Sequence, residues 1–439
     1  MKSSKILKAF FTPLLEVEYD KLETLRHQTI LAPKTLYFDF TASGLAYKNI
    51  QKRIATILPY YANTHSHFAY NAHLMSDLYE QAKERIKQSL GLDEDFVLIA
   101  GGNGASFGIK KFQEIMGIYI PPKSLERLGI RKEKIQKMPD VVITSYEHHS
   151  NEISYREGLC HVHKIKLNDK GLFDVNDLCY LLQQLKKPIA SLSVASNVTG
   201  MLTPLDQCVP LLRQSQSVIA LDMASSSAYL NVESHHFDAA FLAPHKLLGG
   251  IGSCGILAIR KALIDTHLPP SFGGGGVIEY ANDHEHLYIK DCDSREEAGT
   301  PPIIGILYAA LAYQLRDEVG LKWIRIREKI LTQAFLYELS KIPAVSIYGN
   351  LEEERLGIVS FNVGSISPLD LCAILSHKFG IQTRAGCSCA GPYGHYLIAE
   401  GSENKKPMWL RVSIHYTHTI EDIEYFINSL KNAIQILRH

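Results

Sequence analysis

Two short apolar runs, each followed by an ionisable side chain, constrain this chain more than any other feature. The first run, residues 218–221, is followed by Asp222, and the second, residues 237–242, is soon followed by His245 and Lys246. Runs of this length are typical of buried strands. Open α/β sheets place their ligands at the carboxyl ends of such strands. The sequence therefore predicts an acid and a lysine at one edge of a buried sheet.

Asp222 and Lys246 suit one cofactor chemistry in particular. An Asp that faces a pyridinium nitrogen and a Lys that forms a Schiff base are the two protein groups that pyridoxal 5'-phosphate (PLP) requires. Each residue alone also has an ordinary explanation. An Asp at a strand end commonly caps a helix, and a single Lys is commonly solvated. The rest of the chain has to decide between these interpretations.

Apolar runs and helical segments alternate between residues 90 and 260. This alternation predicts a mostly parallel sheet with helices on both faces. The predicted strands lie at residues 96–100, 141–144, 189–194, 218–221, 237–242 and 255–259. Outside this region we expect a strand at residues 37–40 and helices at 47–58, 74–90 and 304–339. Towards the C-terminus we expect strands at 357–363 and 409–413 and helices at 368–379 and 420–437.

Segments rich in glycine and proline predict the domain boundaries of the chain. Four consecutive glycines, 273–276, and the Gly-Thr-Pro-Pro run 299–302 precede the long C-terminal helical stretch. We therefore expect an N-terminal helical arm at residues 1–30, a large domain at 31–300 and a smaller α+β domain at 301–439. The apolar part of the arm is short and is interrupted by Pro13, so we interpret it as an amphipathic helix and not as a signal peptide.

Composition excludes several classes of protein. Lys plus Arg and Asp plus Glu both number 46, so no basic field favours nucleic acid. No segment approaches the ~18 apolar residues of a membrane span. The eight cysteines show no Cys-x-x-Cys spacing. That pattern argues against a disulfide framework or a zinc site and favours a reducing, cytoplasmic compartment.

Polar turns follow several predicted strands. The glycine-rich turn at 101–104 opens a helix, where backbone amides could approach an anion; a tight turn without a ligand is the alternative. His148 and His149 are adjacent, so their side chains point apart and a shared metal is disfavoured. One imidazole lying flat on an aromatic cofactor is the more useful role. Asn197, in another turn, could offer its amide to a ring substituent.

A segment rich in Gly and Pro, residues 383–395, predicts a loop that carries Arg384, Cys387 and Cys389. Cys-x-Cys is a poor zinc half-site and no second cysteine pair lies nearby, so we predict no metal here. Arg411 lies in the next predicted strand. It could bind a carboxylate bidentately, and a surface salt bridge is the alternative.

In this order, the motifs resemble those of the class V aminotransferase family, and within it the NifS- and SufS-type cysteine desulfurases. The resemblance covers roughly residues 35–435. It implies fold type I of the PLP-dependent transferases, which is α/β with a mostly parallel central sheet in a large domain plus a smaller α+β C-terminal domain. Its most specific segments are Asp222 with His245-Lys246, residues 147–151, 196–200 and 298–301, and Arg384 with Arg411.

The resemblance implies a role for each matching residue. Lys246 would bind PLP and move the Cα proton, Asp222 would keep the pyridine nitrogen protonated, and His148 would stack on the ring. The other implied contacts are Asn197 and Ser225 near the ring, Ala105, Ser106 and His245 at the phosphate, and Arg411, Arg384, Asn63 and His65 around an amino-acid substrate. Cys389 aligns with the family's catalytic cysteine, and Cys387 is a second candidate.

The implied reaction converts L-cysteine to L-alanine and passes sulfur to an enzyme thiol, and from there to an acceptor protein. Thr300 would contact the cofactor of a neighbouring subunit, which implies a homodimer. Two positions depart from the family pattern. Ser225 stands where Gln is usual, and Ala243 stands where Ser or Thr is common. Each lost neutral hydrogen bond costs about 1 kcal/mol. We therefore expect PLP still to bind, with different hydrogen bonding at the oxygen of its ring.

Other functions stay open at this point. The same scaffold supports transamination, epimerisation, kynurenine cleavage and other C–S lyase reactions. A non-catalytic protein that kept the fold is a further alternative, although intact Lys246 and Asp222 argue against it. A dinucleotide-binding oxidoreductase would need G-x-G-x-x-G after a first strand, and the turn at 101–104 lacks that pattern.

Overall fold

The computed structural model describes residues 2–16, 20–64, 68–135, 137–398 and 406–438. The helices of this part are α1 Lys2–Phe10, α2 Lys21–Gln28, α3 Lys48–Ile57, α4 Tyr70–Leu90, α5 Ala105–Ile115, α6 Pro122–Leu128, α7 His149–Glu157, α8 Val175–Gln184, α9 Leu205–Gln214, α10 Ile303–Val319, α11 Leu321–Ser340, α12 Pro368–Phe379, α13 Gly391–Leu397 and α14 Ile420–Arg438. None of these helices is long and apolar enough to cross a bilayer.

The strands of the same part are β1 Thr29–Ile30, β2 Leu36–Tyr37, β3 Ala46–Tyr47, β4 Phe96–Gly101, β5 Asp140–Ile143, β6 His161–Lys164, β7 Ile189–Ser193, β8 Val218–Asp222, β9 Ala239–Leu242, β10 Gly255–Arg260, β11 Ile278–Ala281, β12 His286–Tyr288, β13 Val345–Ile347, β14 Ile358–Val363, β15 Ile381–Gln382, β16 Arg384–Gly386 and β17 Trp409–Ser413. Most predicted strands of the large domain are present within one or two residues of the predicted ends.

A seven-stranded sheet with the order β4-β10-β9-β8-β7-β5-β6 forms the centre of the molecule. The neighbours from β9 to β6 pair in parallel, and β10 runs antiparallel to both β9 and β4. Six strands therefore point in one direction. Successive residues of β4 belong to different apolar clusters, because Leu98 packs into one and Ile99 into the other. Helices cover both faces, and the fold is α/β as expected.

A second, antiparallel sheet with the order β13-β14-β17-β16 lies in the C-terminal part. Its core contains residues of α11, α12 and α14, such as Phe335, Leu375 and Phe426. Helix α10 instead contributes Ile306 and its neighbours to the apolar cluster of the large sheet. The domain boundary at residue 300 stays a prediction.

Three sequence expectations differ from the observed elements. The single helix expected over 304–339 is two helices, because Gly320 adopts φ = 90° between α10 and α11. The strand expected at 37–40 is the short β2, which pairs in parallel with β15. The loop expected at 383–395 begins as β16 and ends as α13, so only its centre is irregular. In each case, tertiary pairing or one glycine overrides the local pattern.

Candidate active site

The carboxyl ends of β4, β5, β7, β8 and β9 meet at one edge of the central sheet, and a cavity of about 310 Å³ lies there. Residues of β16 and β17 and the segment between β16 and α13 close its other side. The cavity brings together eleven of the residues predicted from sequence. They are Ala105, Ser106, His148, Asn197, Asp222, Ser225, His245, Lys246, Arg384, Cys389 and Arg411.

Asp222 is buried and Lys246 is half-buried in this cavity, and removal from water shifts the pKa of each. Burial lowers the pKa of Lys246 to about 8, although the Asp222 carboxylate opposes this shift. Burial also raises the pKa of Asp222, against the effects of the Ala224 backbone amide, which donates to Oδ1 at 2.9 Å, and of Lys246. A lysine with this pKa is partly neutral near pH 7.5, so it can act as a nucleophile or a base.

His148 is the N-cap residue of α7, and its ring lines the cavity. Its Nδ1 accepts a hydrogen bond from the backbone amide of Ser150 at 3.1 Å. Burial, with smaller effects of Lys246 and other cations, lowers the pKa of His148 to about 4. The imidazole is therefore neutral at physiological pH, with its proton on Nε2.

A fully buried carboxylate, Glu147, fixes the turn that carries His148. It accepts hydrogen bonds from the amide and hydroxyl of Thr144 at 3.1 and 2.7 Å, and from the amide and hydroxyl of Ser193 at 2.9 and 2.5 Å. Asn151 Nδ2 donates a fifth bond at 2.9 Å. Burial still raises the pKa of Glu147 to about 7. Glu147 thus joins the ends of β5 and β7 to α7, a role that the sequence analysis did not assign.

The glycine-rich turn after β4 supplies one end of the cavity. Gly104 is the N-cap residue of α5 and has no side chain to cap the first amides of the helix. Ala105 and Ser106 follow it and line the cavity. A Cβ at Gly104 would lie 2.8 Å from Cε1 of His245, so only glycine fits this approach. A helix N-terminus of this kind is suited to a phosphate group.

Asp39 lies between Arg384 and Arg411. Asp39 was not predicted from the sequence as a site residue. Its carboxylate accepts hydrogen bonds from Arg384 Nε at 3.0 Å and from Arg411 Nη2 at 3.2 Å. The Arg411 side chain is 4% exposed, whereas that of Arg384 is 50% exposed. Arg411 therefore forms a buried ion pair, and the surface salt bridge considered from sequence is excluded for it. Arg384 keeps part of its guanidinium towards solvent.

The thiol loop, residues 387–391, places the two candidate cysteines in different surroundings. Cys389 is exposed and lines the cavity, whereas Cys387 is half-buried and packs against the apolar core. Ser388 and Cys389 both adopt left-handed backbone conformations, with φ of 51° and 55°. Asn197 Nδ2 donates to the Ser388 carbonyl at 2.7 Å, and Trp409 Nε1 donates to its hydroxyl at 3.0 Å. These bonds turn Cys389 towards the cavity.

Two predicted site residues lie together outside the cavity lining. Asn63 Nδ2 donates to Thr300 Oγ1 at 3.1 Å. Thr300 lines a second cavity of about 420 Å³, between the turn after β4 and the segment that precedes α10. His65, the remaining predicted residue, lies outside the described residues. The chain thus places Thr300 apart from its own Lys246.

One group of possible metal ligands occurs away from the cavity lining. The ligand atoms of Glu233, His235 and His236 lie within 4.8 Å of one another in the part of the chain that the structure describes. Two of the three residues are exposed.

The residues of the cavity fit PLP. Asn197 Oδ1 and Arg411 Nε are buried and have no hydrogen-bond partner among the described residues. Buried polar atoms are normally hydrogen-bonded, so these two atoms favour a polar ligand at this site. Asp222 lies on the strand next to the one that leads to Lys246, and the uncapped α5 lies at the same edge. Asp222 would pair with the ring nitrogen, Lys246 would hold the aldehyde carbon, and residues 104–106 would hold the phosphate.

The sequence of this chain is similar to those of known proteins. The sequence profile of the family described as Aminotransferase class-V matches residues 125–426. The chain is 27% identical over 430 residues to a probable cysteine desulfurase of Pyrococcus abyssi, which covers 95% of this chain and 98% of that protein. It is 28% identical over 305 residues to a cysteine desulfurase of Shigella flexneri, which covers 68% of this chain and 72% of that protein.

Solved structures show the same fold at lower identity. An apo cysteine desulfurase from Thermococcus onnurineus NA1 superposes with a TM-score of 0.80 at 23% identity, covering 94% of this chain and 98% of that one. A cysteine desulfurase from Escherichia coli gives a TM-score of 0.77 at 20% identity, covering 96% and 100%. At these identities the superpositions establish the fold.

Proposed function

This chain belongs to the class V aminotransferase family, and from that premise we propose that it is a PLP-dependent cysteine desulfurase. Enzymes of this family use PLP as their cofactor. The proposed reaction takes L-cysteine, releases L-alanine and leaves the sulfur on an enzyme thiol. One observation carries the proposal within the family: an exposed thiol, Cys389, lines the same cavity as Lys246. Transamination and epimerisation need no such thiol.

Substrate binding would use the two arginines. Arg411 is buried beside the cavity and Arg384 is half-exposed at its rim, and both contact Asp39. The α-carboxylate of an amino acid would pair with the guanidinium groups that line the cavity, including that of Arg411, whose Nε has no hydrogen-bond partner among the described residues. Asp39 neutralises part of the local positive charge, so a single carboxylate completes the charge balance of the site.

Lys246 would carry out the proton transfers at the substrate. PLP, when bound, withdraws electrons from the substrate Cα and so acidifies its proton. Lys246, whose pKa is lowered to about 8, can take that proton and return it. His148 is neutral because its pKa is lowered to about 4, so it can pack on an aromatic ring without adding positive charge. Asp222 would hold a proton at the ring nitrogen.

Cys389 would then accept the sulfur. Its Sγ attacks the sulfur of the substrate, the new S–S bond forms, and the substrate Cβ–S bond breaks. The electron pair of the broken bond stays with the three-carbon fragment, which takes up a proton and leaves as L-alanine. The enzyme keeps a persulfide, and no external oxidant is required. Cys387 is disfavoured for this step because it packs against the core.

Three finer features belong to the same proposal. We propose a homodimer in which Thr300 faces the cofactor of the other subunit, because Thr300 and Asn63 lie apart from the cavity of their own chain. We propose a protein acceptor for the persulfide, because Cys389 is exposed. We propose a role in sulfur metabolism, because the reaction mobilises the sulfur of cysteine, and a place in the reducing cytoplasm, because all eight cysteines are unpaired.

The test is an assay of the purified, PLP-loaded protein with L-cysteine and a reductant, in which alanine and sulfide are measured together. Equal amounts of alanine and sulfide are expected, because the reductant releases the persulfide sulfur. Pyruvate and ammonia in place of alanine would mean β-elimination and would overturn the proposal. If neither pair of products forms, a panel of other amino acids would identify the family reaction instead.

A further inference from the structure

His149 contacts the thiol loop at the reactive position and two residues after it. Its backbone amide donates to the carbonyl of Cys389 at 2.8 Å. Its ring Nε2 accepts a hydrogen bond from the backbone amide of Gly391, also at 2.8 Å. The adjacent His148 faces the cavity, so the two imidazoles have separate surroundings. His149 therefore joins the first turn of α7 to the segment that presents the thiol.

We propose that His149 is a positioning residue that holds the thiol loop against α7, and that protonation of its ring releases the loop. The catalytic consequence rests on the proposed desulfurase function. The positioning itself does not, because it concerns only contacts within this chain. His149 would act through the position of Cys389 and not through contact with the substrate.

The conformation of the loop makes such an anchor necessary. Ser388 and Cys389 have φ of 51° and 55°, a region that non-glycine residues adopt at a cost of about 1–3 kcal/mol each when the surrounding structure holds them there. Asn197 and Trp409 both bind Ser388, on one side of the thiol. His149 binds Cys389 and Gly391. The thiol is thus anchored from two directions, and loss of the His149 ring bond would leave the second side held by one main-chain bond.

The ring bond depends on the protonation state of His149. A neutral imidazole with its proton on Nδ1 can accept at Nε2, whereas an imidazolium has no acceptor. The charged groups that face the ring are Glu152 and Arg156 on its own helix and Lys406 from the segment before β17, and His148 adjoins it. Burial lowers the pKa of His149, Lys406 and Arg156 lower it further, and Glu152 opposes them. The ring bond to Gly391 is therefore intact at neutral pH and is lost in acid, whereas the main-chain bond to Cys389 does not titrate.

A His149→Gln variant separates the hydrogen bond from the titration. The amide oxygen of Gln can accept the Gly391 amide proton and does not ionise, whereas His149→Ala removes the acceptor. His377→Gln provides a matched control, because His377 is exposed on α12 and lines neither the cavity nor the thiol loop. All variants would be studied as the PLP-loaded enzyme.

The first readout is the rate at which iodoacetamide modifies Cys389, followed by peptide mass spectrometry. At pH 7.5 we expect His149→Ala to speed modification about 5-fold, the effect of one lost hydrogen bond, and to lower kcat for alanine formation by a similar factor with KM nearly unchanged. His149→Gln and His377→Gln should resemble the natural enzyme. Equal modification rates in the natural enzyme and His149→Ala would overturn the proposal.

The second readout is the ratio of Cys389 modification rates, natural enzyme over His149→Gln, between pH 5 and 8. Ionisation of the thiol affects both proteins and cancels in the ratio. We expect a ratio near one at pH 8 that rises as His149 is protonated, and a flat ratio would contradict the proposal. This readout needs no folded His149→Ala protein and no desulfuration. A natural enzyme that forms no alanine would refute the proposed function and leave this result intact.

Discussion

The floor of the cavity and the thiol loop are stabilised in different ways. The floor, formed by His148, Asp222, Lys246 and Arg411, stands at the ends of buried strands or within them, and burial shifts the pKa of each of these groups. The thiol loop is partly exposed and is held by a few hydrogen bonds. Groups that need an altered pKa thus lie where the surrounding protein removes most of their contact with water. The Cys389 thiol, which must carry the sulfur away, lies in a loop whose hydrogen bonds can break and form again.

The largest effect is expected from replacing Lys246, one of the floor residues. Lys246→Ala should abolish covalent PLP binding and lower product formation by at least about 100-fold, because both the attachment point and the base are lost. Borohydride treatment followed by peptide mapping should find no label on the variant. Lys329→Ala, which changes an exposed lysine of α11, should retain the label. A label elsewhere in Lys246→Ala would refute the assignment of Lys246.

The second test concerns the loop and compares its two cysteines. Cys389→Ser should reduce alanine formation to background while PLP binding is retained, because serine cannot accept the sulfur as a persulfide. Cys387→Ser is the matched control. It should keep most activity, because Cys387 packs against the core and does not line the cavity. The reverse result in an alanine assay would move the reactive position two residues along the loop.

The third test returns to the floor and asks how much its buried ion pair contributes. Asp39→Asn leaves the buried Arg411 without this carboxylate, and breaking such a pair costs about 3–5 kcal/mol. The urea midpoint of the cofactor-free protein should fall accordingly. Glu126→Gln breaks an exposed pair with Lys123 and should change stability by less than about 1 kcal/mol. Equal shifts for both variants would mean that burial does not distinguish the two pairs.

The smallest effect expected is the pH dependence of cofactor capture by Lys246. Only the neutral amine attacks an aldehyde, and the pKa of Lys246 is lowered to about 8 by burial. Because the folded pKa is lowered, the neutral fraction grows as pH rises through 8 and is nearly complete by pH 9. The rate of PLP incorporation into the cofactor-free protein should rise about 5-fold from pH 7 to 8 and then level off. A rise that continues to pH 10.5 would indicate an ordinary lysine.

The floor was largely predictable from sequence, because a strand end is a local pattern. The apolar runs that lead to Asp222 and to Lys246 are parallel neighbours, so the predicted proximity follows from the sheet. The contact of Asp39 with Arg384 was not predictable, since it joins residues 345 positions apart that no local pattern connects. Glu147 lay within a recognised block, yet its five donors come from three separate segments.

The loop was less predictable for a different physical reason. Its glycines and proline correctly indicated an irregular centre, but the left-handed conformations of Ser388 and Cys389 have no local sequence cause. They depend on His149, Asn197 and Trp409, which the fold brings in from distant parts of the chain. The choice between Cys387 and Cys389 likewise depends on which thiol meets the core. Sequence alone left that choice open.

The strand β2 and the residues after it have a consequence for how the chain is made. Phe38 lies in the core of the C-terminal sheet, next to Phe426, and Ser413 donates to its carbonyl at 2.7 Å. During synthesis, Phe38 emerges from the ribosome long before α14 exists. The C-terminal core therefore cannot close until α14 has been synthesised. A fragment starting at residue 301 would therefore lack part of its own core.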